Sequence, residues 1–75
     1  MGRAEVEYEI IQTIGVIGKE TEKGWQKEVN LISWNGAEPK VDIRAWSPDH
    51  QKISKGITLT KQEAIEVASI MKEIL

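Results

Sequence analysis

The chain alternates apolar-rich runs with polar, turn-forming stretches, and this pattern predicts four strands and one helix. The first run, Tyr8 to Ile17, is rich in Ile and Val. A period of two places Tyr8, Ile10, Ile14 and Val16 on one face. Residues 19–24 form a polar loop. The second run covers residues 25–34 and ends at Asn35-Gly36, a strong turn dipeptide extended by Ala37-Glu38-Pro39. The third run is Lys40 to Trp46, closed by the turn Ser47-Pro48-Asp49-His50. The fourth covers residues 52–59. Successive strands joined by short connections form an antiparallel meander. Strand glycines at Gly15, Gly18 and Gly56 fit bulges or bends better than a phosphate-clamping loop, because the centre of Gly15-Val16-Ile17-Gly18 is apolar.

The helix has the clearest start signal. Thr60-Lys61-Gln62-Glu63 is a capping box, in which the Thr60 hydroxyl accepts from the Glu63 N–H and Glu63 reaches back. From there to Leu75 no Gly or Pro interrupts. At about 100° per residue, Ala64, Ile65, Val67, Ala68, Ile70, Met71, Ile74 and Leu75 cover an arc of roughly 220°. One sheet face needs a stripe of only about 100°. The surplus calls for another apolar surface, and the same helix of a second copy fits. The expected dimer interface is therefore Ile65, Ala68, Ile70, Met71, Ile74 and Leu75. The alternative is that the surplus meets the N-terminal strand or stays exposed.

Length sharpens that argument. Seventy-five residues make one domain, 1–75, with residues 1–7 expected as a flexible N-terminal tail. A chain this short buries only about 60–65% of its unfolded surface, and Cys is absent, so association is the common remaining route to stability. No apolar run is long enough to span a bilayer, and the N-terminus lacks a signal-peptide pattern. A cytoplasmic protein is expected, nucleoid-associated if bacterial. One His and no Cys argue against a metal site, and no cofactor motif is present.

Composition adds the candidate chemistry. Three Trp and no Phe is unusual, since indole N–H groups want partners in a core. Each Trp sits in a polar or basic run: Lys23-Gly24-Trp25-Gln26-Lys27, Ser33-Trp34-Asn35 and Arg44-Ala45-Trp46-Ser47. Net charge is −2, yet between Lys23 and Lys55 six Lys/Arg face four acids. Flat rings among cations suit stacking on bases beside a phosphate backbone. In the third strand Val41, Ile43 and Ala45 share the expected core face, and Lys40, Asp42, Arg44 and Trp46 share the other. That phase makes Trp46 a surface stacking candidate. Trp34 falls with Glu28, Asn30 and Ile32, on the polar side of the second strand. Trp25 shares phase with Lys27, Val29 and Leu31, which leaves it between core and groove edge. Lys40, Arg44 and Lys52 could meet phosphates; the plain alternative is solvated charges with an in-strand Asp42–Arg44 pair. His50 with Asp49, Ser47 and Ser54 lacks the convergence a catalytic triad needs, so it reads as a turn residue or a nucleic-acid contact, and the chain is expected not to be an enzyme.

Several blocks in order carry a resemblance. These are Asp42-Ile43-Arg44, a Trp followed by a Pro/Asp turn, and Lys55-Gly56-Ile57-Thr58-Leu59 leading into a C-terminal helix. They resemble the single-stranded-DNA-binding domain family of the transcriptional coactivator positive cofactor four. The segments 27–30, 33–35, 37–40 and 46–50 are closer still to its bacterial YdbC-type members. The resemblance covers roughly residues 25–75. It implies an α+β fold, a curved four-stranded antiparallel meander followed by one helix, with a homodimer formed through the helices. It also implies largely sequence-independent binding of single-stranded DNA, or RNA, across the β-surfaces, in transcription regulation or in DNA replication or repair. The expected nucleic-acid contacts are Trp46, Trp34, Trp25, Lys23, Lys27, Asn35, Lys40, Arg44, His50, Lys52 and Lys55. The chain lacks the Ser-rich regulatory region of the eukaryotic coactivator, so eukaryotic coactivation is not implied. The alternative is a protein-interaction dimer whose Trp-rich sheet binds a peptide or partner protein.

Overall fold

A computed structural model describes residues 7–75, so the expected tail at 1–7 lies, apart from Glu7, outside the described residues. The strands are β1 (Tyr8–Ile17), β2 (Gln26–Trp34), β3 (Lys40–Trp46) and β4 (Ile53–Leu59), followed by α1 (Lys61–Lys72). They form one antiparallel sheet in the order β1-β2-β3-β4, the expected meander. The β2–β3 connection begins as anticipated. Asn35 and Gly36 both have positive φ, 52° and 77°, and the Ala37 N–H donates to the Trp34 carbonyl at 2.9 Å. The Thr60 capping box is complete, with Glu63 N–H to Thr60 Oγ1 at 3.0 Å and Thr60 N–H to Glu63 Oε1 at 2.9 Å.

Two details depart from the pattern reading. β1 carries register shifts between Ile10 and Gln12 and between Thr13 and Gly15. Each extra residue changes which side chains share a face. Tyr8, Ile10, Thr13 and Val16 oppose Trp34, Ile32, Asn30 and Glu28, so Thr13 takes the place expected for Ile14.

The second departure concerns which face is inside. Val29, Leu31, Val41, Ile43 and Ala45, expected as core, are only half-buried. The buried side chains lie mainly on the opposite face: Ile32, Trp46, Asn30, Asp42 and Glu28. The reason is curvature. Tyr8 pairs with Trp34 at one end of β2, while Trp46 pairs with Gln26 at the other. A flat strand would separate those ends by about 26 Å. Yet the Tyr8 ring centroid lies 5.4 Å from that of Trp34 and 5.6 Å from that of Trp46. The sheet therefore curls around its polar face, which becomes concave and closes on itself. The apolar face is convex, and α1 meets it only along β3 and β4. Of that face, Leu59 is buried among the described residues, while Ile57 remains exposed. No residue of α1 is buried.

Candidate nucleic-acid interface

The concave face is built in two layers, a buried polar floor and a row of rings above it. β3 places Asp42 and Arg44 two residues apart on this face. The guanidinium grips the carboxylate with Nε to Oδ1 at 2.6 Å and Nη2 to Oδ2 at 2.8 Å. Thr58 of β4, directly opposite Asp42, donates its hydroxyl to Oδ2 at 2.9 Å. Arg44 also donates to the Ser54 carbonyl at 3.3 Å. Its side chain crosses Gly56, where a Cβ would collide with Arg44 Cβ and the Ile43 carbonyl. Asp42 is fully buried, and a buried carboxylate persists only when paired and hydrogen-bonded. Arg44 is thus paired with Asp42, the in-strand pairing that sequence spacing offered as the alternative to a phosphate contact. On β2, buried Glu28 accepts from Asn30 Nδ2 at 3.2 Å and contacts His50 Nε2 at 2.9 Å.

The rings form a continuous series. Trp34 packs on Tyr8 at 5.4 Å and 48°, Tyr8 on Trp46 at 5.6 Å and 56°, and Trp46 on His50 at 5.3 Å and 29°. The Arg44 guanidinium lies 5.0 Å from the Trp34 ring centroid, within cation–π range. His50 adopts φ 60°, a left-handed turn conformation that brings its ring back over the sheet. Phase assigned Trp46 to the charged face, where it lies, but its expected openness is corrected. Its exposure is 1%, with the Tyr8 and His50 rings packed against it. Trp34 is half-buried. Among the described residues, three buried polar atoms on this face have no hydrogen-bond partner: Asn30 Oδ1, Trp34 Nε1 and Trp46 Nε1. Each such group costs about 1–3 kcal/mol while it stays unpaired.

The remaining expected contacts separate into groups. Trp25, Lys23 and Lys52 line one cleft with Ser47, Pro48 and Asp49, beside the β3–β4 turn. Lys40 lies near the other end of the sheet, where it lines a shallow cavity with Glu38, Pro39, Thr60 and Lys61. Lys27 and Lys55 are exposed and belong to neither cavity. Asn35 acts as a fastener: its Oδ1 accepts from the Glu7 N–H at 2.9 Å, and its own N–H donates to the Glu7 carbonyl at 2.7 Å. In the β3–β4 turn, the Gln51 N–H and then the Ser47 hydroxyl hold the Asp49 carboxyl below its ordinary range. Tyr8, Glu28, Asn30 and Thr58 belong to the face but escaped the sequence-based site. Tyr8 had a usable signal, since it was the one aromatic outside the Trp group.

The fold and the face define a class, a small β-β-β-β-α domain with a row of aromatic rings over a polar sheet face. The chain belongs to the family described as Transcriptional Coactivator p15 (PC4), whose model matches residues 21–70. An uncharacterized protein of Treponema pallidum (strain Nichols) is 40% identical over 67 residues, which cover 89% of this chain and 78% of that protein. The matched region runs from the β1–β2 loop into α1 and contains the Trp residues and most of the polar floor. Among the described residues, no helix is long and apolar enough to cross a membrane.

Proposed function

We propose that this chain binds single-stranded nucleic acid as a homodimer, without catalysis. The observation that carries the reading is the series Trp34, Tyr8, Trp46 and His50, with the Arg44 guanidinium against Trp34. Tyr8 is 40% exposed and Trp34 half-buried, so these rings, with Trp25, offer faces to unpaired bases. Trp46 is the floor that holds them. Lys23, Lys40, Lys52 and Lys55 are exposed, carry no ion pair among the described residues and offset phosphate charge, whereas Lys27 lies on the convex face beside Ala45. A duplex hides its base faces and is stiff, so a curled face favours the single strand. Membership of a transcriptional coactivator family supports the same reading, and a role in transcription, replication or repair follows from it.

The test is intrinsic Trp fluorescence titrated with an oligothymidine and with the matching duplex at two salt concentrations. The expected result is quenching by the single strand, weaker duplex binding and affinity that falls steeply with salt. Absence of quenching, or equal affinity for duplex, overturns the proposal. Salt-independent capture of an apolar peptide instead would establish the protein-interaction reading.

A further inference from the structure

The β1–β2 loop and the β3–β4 turn meet at one end of the sheet. Gly24 has φ +84°, and a Cβ there would meet Pro48 Cγ at 2.7 Å, so this close approach needs glycine. Beside that contact lies a cleft of about 460 Å³, lined by Lys23, Trp25, Ser47, Pro48, Asp49 and Lys52. That volume lies within the span of small-ligand clefts, about 300–1,000 Å³.

Its walls are held in place. The Trp25 N–H donates to Thr21 Oγ1 at 3.1 Å, and the Trp25 carbonyl accepts from the Thr21 N–H at 2.8 Å. Trp25 is half-buried and lines the cleft. Across the cleft, Asp49 Oδ1 accepts from Ser47 Oγ at 2.8 Å and from the Gln51 N–H at 3.0 Å. Ser47 Oγ in turn accepts from the Lys52 N–H at 3.0 Å. Asp49 Oδ2 carries no hydrogen bond among the described residues, so the cleft that Trp25 lines also holds an unused acceptor.

These groups specify a ligand. A flat base suits Trp25, and phosphates suit Lys23 and Lys52. The carboxylate selects among bases, because it only accepts hydrogen bonds. Guanine alone offers two adjacent donors, N1–H and N2–H₂, on its Watson–Crick edge, and both can converge on the one open oxygen, Oδ2. Adenine and cytosine set one amino donor beside a ring-nitrogen lone pair, and thymine flanks one N–H with two carbonyls. We infer that this cleft is a guanine-selective nucleotide subsite, with the base on Trp25, its donor edge on Asp49 and its phosphates on Lys23 and Lys52. It rests on the single-stranded nucleic-acid reading and adds base preference to a surface whose stacking is otherwise sequence-tolerant.

The experiment compares an all-thymidine oligonucleotide with one carrying a single central guanosine. The wild type should bind the guanosine-containing strand about five- to tenfold more tightly. Asp49→Asn keeps an acceptor for Ser47 and Gln51 but replaces Oδ2 with a donor, and the ratio should fall to within about twofold. Equal affinities in the wild type, or an unchanged ratio in Asp49→Asn, overturn the inference. In parallel, deoxyguanosine and thymidine monophosphates are titrated while the Trp25 indole N–H resonance, assigned with Trp25→Phe, is followed by NMR. The guanine nucleotide should shift it and the thymine nucleotide should not; equal responses overturn the inference. If neither oligonucleotide binds, the single-strand reading fails, and the mononucleotide arm still decides whether the cleft selects guanine.

Discussion

The Asp42–Arg44 pair shows how a charge inside a small domain divides structure from function. Asp42 is wholly buried, and the Arg44 side chain is 12% exposed, so little solvent screens the pair. Breaking a buried pair by removing one partner leaves an uncompensated charge and costs about 3–5 kcal/mol. Arg44→Met should therefore lower the unfolding free energy by that order, measured by urea denaturation. Asp42→Asn, which retains hydrogen-bonding capacity, should lower it less. Sequence spacing already placed Asp42 and Arg44 on one face and offered their pairing as one reading. It could not show burial, because burial arises from curvature. The same gap explains Trp46, whose phase was legible and whose exposure was not. A period-two pattern assigns a side chain to a face but does not say which face curls inward.

At the scale of elements, the boundaries were legible because each has a local chemical cause. The Asn35-Gly36 turn supplies its own positive φ values, and the Thr60 capping box satisfies two helix-terminal groups without tertiary help. The β1 bulges were not legible, since a single inserted residue leaves composition unchanged and alters only pairing. They matter because the shift beyond Ile10 lets Thr13 and Val16 continue the face that Tyr8 begins. α1 makes few contacts with its own sheet, and none of its residues is buried. Its stability within one copy therefore leans on its capping more than a well-packed helix does. Thr60→Ala removes the acceptor for the Glu63 N–H and should cost about 1 kcal/mol, typical of a lost cap. Thermal unfolding followed by far-ultraviolet circular dichroism measures it. An undiminished midpoint would show that packing, and not the cap, holds the helix.

At the scale of the whole molecule, the apolar surface is distributed in a way a lone copy does not resolve. Ile65, Ile70, Ile74 and Leu75 are exposed by 62%, 65%, 79% and 96%, while Ile57 on the convex sheet face is 52% exposed. Large apolar side chains exposed along one helix are what an interaction surface presents. The concave face is filled by its own rings and polar floor, so a second copy is expected on the convex and helical side. That arrangement leaves the exposed Tyr8 and half-buried Trp34 rings of both copies uncovered for one continuous strand. Ile70→Glu places a charge in the helical arc without touching the floor, the rings or the Trp25 cleft. Sedimentation should give a dimer for the wild type at micromolar concentration and a monomer for this variant. Affinity for a long oligothymidine should fall more than affinity for a short one, because only the long strand engages two linked faces and gains from their effective concentration. A wild-type monomer overturns the dimer. A monomeric variant that keeps its full preference for the long strand would place the whole binding site within one copy.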